Sequence, residues 1–278
     1  TFDKTVMETP FYLCVPAAKH IVISGDIHGD FNTLVHKLCV QYKMQDTLLI
    51  VAGDCGFGFE KPEYYKNMVR KNSRRMSEAN NWIVFVRGNH DNPAYFDGEA
   101  FAYKRFIAVP DYTVIQACNK TILGVGGGIS IDRVPRIEKW KQYRHKYREF
   151  LHTPDDSPFA RNFYWKDEPP MFDETILESV GKKYSIDTVV SHTAPSFCEL
   201  TSKGMVEYFA QFDPVLIKDV QTERETMDTI FHKLVSDGNP LCRWYYGHFH
   251  QSWNAEISGV KFKMLDIKLI TLIQTLLP

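Results

Sequence analysis

Five short stretches of this 278-residue chain gather the same kinds of side chain. They are Gly-Asp-Ile-His-Gly (25–29), Ala-Gly-Asp-Cys-Gly (52–56), Arg-Gly-Asn-His-Asp (87–91), Ser-His-Thr-Ala-Pro (191–195) and Gly-His-Phe-His (247–250). Together they offer Asp26, His28, Asp54, Asn89, His90, His192, His248 and His250. Carboxylate, amide and imidazole without a thiol form a hard-to-borderline ligand set, suited to manganese, iron, zinc or a similar divalent ion. Eight such groups are too many for one ion that keeps positions open for a substrate. Two ions sharing a bridging carboxylate are the economical reading. Spaced about 3.5–4 Å apart, they would acidify a bridging water and clamp an oxygen in line with a phosphorus centre.

Each stretch follows an apolar run that reads as a strand: residues 20–24, 47–51, 82–86, 187–191 and 243–247. Amphipathic helices are predicted over 31–42 and 62–80, and a third with Leu216, Val220, Met227, Ile230, Phe231 and Leu234 on one face. The βαβαβ order and continuous apolar strands predict a largely parallel sheet covered on both faces. Shorter strands at about 104–108, 112–117 and 120–125 predict an antiparallel or mixed region. In open α/β sheets ligands bind beyond the carboxyl ends of the strands, so five strand ends would deliver the eight groups to one edge. Strand alternation would put Asp26 and His28 on one side, and His248 and His250 likewise. Other residues of the same types have blander readings. Asp30 is expected as a helix N-cap, and His20, His36, His145, His152 and His232 as packing or surface residues.

The stretch 135–172 is rich in Arg, Lys and aromatics and reads as a basic helix followed by an irregular loop, inserted into one domain spanning 1–278. Its Lys139, Lys141, Arg144, Lys146 and Arg148, interleaved with Trp140, Tyr143 and Tyr147, have the composition of a nucleotide or single-strand platform. A surface helix burying its aromatics is the plainer reading. A formal net charge of -1 gives no overall attraction to nucleic acid or to an anionic membrane, leaving only such a local patch. The apolar tail 264–278 is interrupted by Asp266 and Lys268 and is short for a membrane span, so a packed terminal strand or helix is expected. Six scattered cysteines with no CxxC pair read as reduced thiols of a cytoplasmic protein.

In their order, GDIHG, GDCG, GNHD, SH and GHFH resemble the calcineurin-like metallophosphoesterase superfamily, over about residues 20–265. The resemblance implies an α/β fold, α+β in some schemes: a four-layer αββα sandwich of two mixed sheets with a binuclear centre at its edge. One metal would be held by Asp26, His28, Asp54 and His250, the other by Asp54, Asn89, His192 and His248, with Asp54 bridging. Both are divalent, manganese first, with iron, zinc, nickel or magnesium as alternatives. His90 would protonate the leaving oxygen or steady the phosphoryl group, Asn89 would also touch substrate, and Asp91 would orient His90. The implied reaction is phosphate-ester hydrolysis by in-line attack of a metal-bridging hydroxide, on a small molecule, nucleotide or phosphoprotein. A nuclease or cyclic-nucleotide phosphodiesterase on the same site is the alternative. A non-catalytic scaffold ranks last, because every implied ligand is present.

The match has a gap. Protein serine/threonine phosphatases of the superfamily carry GDxVDRG at the second block, with an arginine for phosphate and an aspartate for the catalytic histidine. Here the block reads Gly-Asp-Cys-Gly-Phe-Gly-Phe (53–59), which disfavours a dedicated phosphoprotein phosphatase. Arg133 or Arg136, after the three glycines 126–128, are candidate replacement anion contacts, set against a turn leading into a solvated helix. Phe57 and Phe59 read equally as an apolar wall beside the metals or as core.

Overall fold

The predicted strands 20–24, 47–51 and 82–86 form because β-branched and aromatic residues there bury both faces. The computed structural model describes residues 3–4, 10–146, 163–201 and 204–275. Its first half contains β1 (Asp3–Lys4), β2 (Tyr12–Cys14), β3 (His20–Ser24), α1 (Phe31–His36), β4 (Thr47–Ala52), α2 (Pro62–Glu78), β5 (Trp82–Val86), β6 (Ala102–Tyr103) and β7 (Phe106–Ala108). Then come β8 (Thr113–Ala117), β9 (Lys120–Val125), α3 (Arg133–Lys146), α4 (Glu174–Lys183), β10 (Thr188–Ser191), α5 (Val206–Ala210) and α6 (Leu216–Ser236). The last elements are β11 (Arg243–Tyr246), β12 (Trp253–Ile257), β13 (Val260–Met264) and β14 (Ile270–Thr275).

Two mixed sheets result, one of six strands in the order β14-β3-β4-β5-β7-β6, the other of eight in the order β1-β2-β8-β9-β10-β11-β13-β12. Strand alternation divides the apolar residues into layers. Ile21, Ile23, Leu48, Ile50, Val84 and Val86 meet Ile115, Ile122, Val190 and Tyr245 between the sheets. Their neighbours Val22, Leu49, Val51, Ile83 and Phe85 face Phe31, Leu34, Leu38, Tyr65 and Met76 of the helical layer over the six-stranded sheet. On the far side, Leu123, Val189, Trp244 and Tyr246 pack against Leu177 and Val180 of α4 and Met227, Ile230 and Leu234 of α6. The expected αββα sandwich is what the chain forms.

Several boundaries differ from expectation. The helix read over 31–42 is α-helical only to His36 and continues as a π-helical turn, Lys37–Gln41. Asp30 stands at the N-cap position, but its backbone (φ −84, ψ 44) is not the extended conformation of a capping residue, and its carboxylate makes no cap bond. It pairs with Lys268 instead. The apolar tail forms β14, antiparallel to β3 at the edge of its sheet. The basic helix is α3, and Trp140 packs edge-on against Phe163 at 4.9 Å. Residues 163–172 are irregular, as predicted, whereas 147–162, with Tyr147, Arg148 and His152, lie outside the described residues. All six cysteines are free thiols, and no described helix is long and apolar enough to cross a membrane.

The interlayer position of Ile50 gives a measurable expectation. Replacing it with alanine removes three fully buried carbons at the centre of the sandwich, at a cost of about 2–5 kcal/mol. That loss should appear as a lower urea midpoint, whereas Ile217→Ala on the surface should shift it by less than about 0.5 kcal/mol.

Candidate metal centre

The carboxyl ends of β3, β4 and β5 from one sheet and of β10 and β11 from the other open onto one crevice. Ligands from both sheets therefore face each other across the edge of the sandwich. The side chains are brought together by loop conformation, which corrects the argument from strand alternation: each strand ends before its ligands begin. His28 (φ 46), Asp54 (φ 44), His248 (φ 68) and His250 (φ 55) all adopt left-handed backbone. Such strain in non-glycine residues collects at functional sites, because the surrounding fold has to enforce it. Two glycines permit the close approach. A Cβ on Gly247 would lie 2.1 Å from Asp26 Oδ1, and one on Gly53 would lie 2.2 Å from His192 Nδ1.

Asp26, His28, Asp54 and His250 each place one ligand atom within 4.8 Å of the others. His250 Nε2 is 3.0 Å from Asp26 Oδ2 and 3.1 Å from His28 Nε2. Asp26 and Asp54 are completely buried. A buried carboxylate loses several kcal/mol of hydration, which hydrogen bonds and a nearby positive charge offset. Burial, above all, holds the His28 imidazole below its ordinary pKa, against the opposing pull of Asp54 and Asp26. A neutral ring presents the lone pair that a cation needs.

The second group adjoins the first through Asp54. His192 Nδ1 lies 2.9 Å from the Ala52 carbonyl oxygen, which can only accept, so Nδ1 carries the proton. Its Nε2 then offers a lone pair, directed at Asn89 Oδ1 (2.9 Å) and close to Asp54 Oδ1 (3.3 Å), with His248 Nδ1 at 3.2 Å. Electron-rich atoms in contact repel unless positive charge lies among them. A cation among them would relieve all of these contacts. The donor chemistry therefore fits divalent metal at both groups.

The remaining predicted residues separate. His90 reaches the site: its ring Nε2 is 3.9 Å from Asp54 Oδ2, and its backbone N–H donates to Asp54 Oδ1 at 2.9 Å. Asp91 does not orient it. The buried Asp91 carboxylate accepts backbone N–H groups from Cys55 (3.0 Å), Gly56 (2.7 Å), Phe57 (2.9 Å) and Gly88 (2.8 Å), tying the second motif loop to the third. Arg133 is not an anion contact either. It is buried with Nε 2.6 Å from Asp213 Oδ2 and Nη2 2.6 Å from Asp219 Oδ2, and so fastens α3 to the segment entering α6. Arg136 donates to Asp132 at 2.8 Å. Phe57 is core, surrounded by Phe31, Tyr65, Phe85, Tyr95, Phe96 and Phe101.

Sequence reasoning missed the residues that brace these loops. Glu223 accepts the Ile129 N–H at 2.5 Å and the Thr193 hydroxyl. Arg224 donates to the Pro195 and Cys198 carbonyls, both at 2.6 Å, and lies over the Phe249 ring at 5.0 Å. One turn of α6 thus holds the loops of His192 and of His248–His250. A signal was present: Glu223 and Arg224 occupy core-facing positions between Val220 and Met227 on the apolar face. Arg87 donates to the carbonyls of Asp167 (2.9 Å) and Glu168 (3.0 Å) and to Asp111 (2.8 Å), fixing the segment that follows α3.

The family model described as calcineurin-like phosphoesterase matches residues 19–252, which contain all five motifs. Solved structures similar to this chain include a dimetal phosphatase from Danio rerio, LOC 393393, at 11% identity and TM-score 0.48, covering 91% of this chain and 88% of that one. Another is TT1561 of Thermus thermophilus, at 12% identity and TM-score 0.49, covering 92% and 99%. A third is the phosphopantetheinyl hydrolase PptH from Mycobacterium tuberculosis, at 14% identity and TM-score 0.37, covering 91% of each chain. On the family match, which takes in the whole crevice just described, the chain belongs to the calcineurin-like phosphoesterases, a family of phosphoric ester hydrolases.

Proposed function

We propose that this crevice hydrolyses phosphate esters with two divalent cations, manganese first among manganese, iron, zinc, nickel and magnesium. The observation that carries the reading is the His192 lone pair set against Asn89 Oδ1 and Asp54 Oδ1, beside the four converging ligands of the first group. Asp26, His28, Asp54 and His250 would hold one cation, and Asp54, Asn89, His192 and His248 the other. Bound there, such ions supply Lewis-acid activation of water and of the phosphoryl oxygens. The absence of sulfur ligands favours manganese and its neighbours over softer metals.

The chain's own groups set the rest of the chemistry. His90, at the rim and 3.9 Å from Asp54, would hold a proton at its ring nitrogen and deliver it to the leaving oxygen as the ester bond breaks. The Asn89 amide would face the phosphoryl group as well as the second cation. Arg136, its Nε held by Asp132, is the other predicted anion contact. Phosphomonoesters come first as substrates. The nuclease alternative leaned on the aromatic insertion, and Trp140, Phe163 and Trp165 pack edge-on against one another (4.9 and 4.5 Å) instead of standing clear as a base platform. The whole chain would act as one domain with an insertion at 135–172, and its six free thiols suit a reducing compartment such as the cytoplasm.

Metal-reconstituted protein should turn over p-nitrophenyl phosphate faster than the bis ester, lose that activity to a chelator and regain it with manganese. Preference for the bis ester would transfer the assignment to a phosphodiesterase. Asp54→Asn should abolish turnover and weaken metal retention measured by elemental analysis, because it removes the bridge. His90→Asn should lower kcat by about 10²–10⁴-fold with both metals retained. Loss of metal from the His90 variant would overturn the division of roles.

A further inference from the structure

Asn89 is the one amide in the candidate set, and an amide is ambiguous in a way that a carboxylate is not. Its oxygen can bind a cation. Its NH2, nearly identical in shape, repels one. Turned the wrong way, Asn89 would present two N–H donors to the second group of ligands. Something has to fix its orientation.

The fixing group is Ser130. Asn89 is 1% exposed and its Nδ2 donates to Ser130 Oγ at 2.8 Å, with His90 Nε2 farther off at 3.4 Å, which turns Oδ1 to within 2.9 Å of His192 Nε2. Ser130 is itself held from behind by the fully buried Glu168. The Ser130 N–H donates to Glu168 Oε1 at 2.8 Å, and its Oγ lies 2.6 Å from Glu168 Oε2. Burial pushes the Glu168 carboxyl up to about 8, and either protonation state leaves Ser130 an acceptor toward Asn89. Ionised, Glu168 accepts a hydrogen bond from the hydroxyl. Protonated, it donates to the same oxygen.

The loop has little freedom to retreat. Its consecutive N–H groups at Gly128, Ile129 and Ser130 donate to the Glu168 carbonyl (3.0 Å), Glu223 Oε2 (2.5 Å) and Glu168 Oε1 (2.8 Å). Arg87, two residues before Asn89, closes the circuit through its bond to the Glu168 carbonyl at 3.0 Å. None of these groups faces the crevice as a ligand, and of them only Arg87 falls within one of the five motif stretches.

We propose that Ser130, backed by Glu168, is a positioning residue that turns the Asn89 amide oxygen toward His192 and so sets the affinity for one of the two cations. The inference rests on the two-cation reading above. Groups that orient metal ligands in this way are worth about 10–100-fold in metal affinity. Because Glu168 lies within the insertion at 135–172, that segment bears on metal retention as well as on the surface it covers.

The test is calorimetric titration of manganese into chelator-stripped protein. The parent should take up two ions per chain. Ser130→Ala should weaken one binding step by about 10–100-fold and leave the other unchanged. Glu168→Gln keeps a donor or acceptor against the hydroxyl, and both steps should match the parent's. If Ser130→Ala does not fold, Ser130→Cys carries the same expectation, since a thiol is a poor acceptor for the amide. A serine variant that binds both ions as tightly as the parent overturns the proposal. Equal weakening of both steps does so too, because it marks general loosening of the site. A parent that binds fewer than two ions overturns the two-cation reading itself, and this inference with it.

Discussion

The architecture of this protein answers to one electrostatic constraint: lone pairs from several loops are pressed together around two carboxylates that the fold buries completely. Asp26 and Asp54 are fully buried, and His192 Nε2 meets two oxygens at contact distance. Left alone, such a cluster would push its loops apart. The fold resists by making every loop part of a larger hydrogen-bonded frame, and the frame draws on both sheets and on α6. Stability and function are therefore opposed at the crevice and reconciled only by positive charge there.

The frame explains why so many buried polar groups lie behind the ligands rather than among them. Asp91 gathers four backbone N–H groups, and Glu223 and Arg224 hold three loops from one helical turn. An orphaned polar atom at this depth costs about 1–3 kcal/mol, which favours the bonds these groups make. Their partners are backbone atoms of the motif loops, so satisfying them also fixes the course of the chain. The ligands can then hold left-handed conformations that an isolated loop would abandon.

Much of this was legible in the sequence and some was not, for definite reasons. Strands β3, β4, β5, β10 and β11 were readable because burial on both faces leaves a continuous apolar run that few other structures produce. The ligands were readable because each follows such a run directly. Asp91 and Arg133 were misread because their type suits chemistry while the partners that define their roles, Cys55, Gly56 and Phe57 in one case and Asp213 and Asp219 in the other, come from distant parts of the chain. The bracing role of Glu168 was invisible for the same reason: nothing local distinguishes a glutamate that reaches Ser130 from one in solvent. Asp30 failed differently. Residue type predicted a cap, and a backbone angle settled otherwise.

The strand β14 has a consequence for how the molecule is made. It lies beside β3, and His20 is hydrogen-bonded to Thr275 across 255 positions of sequence. Contacts that far apart close late, because a long span of chain must be ordered before they form. During synthesis β3, which leads into the first motif loop, would emerge from the ribosome with one side bare. It would stay so until nearly every other element had appeared, a nascent edge for chaperones to shield.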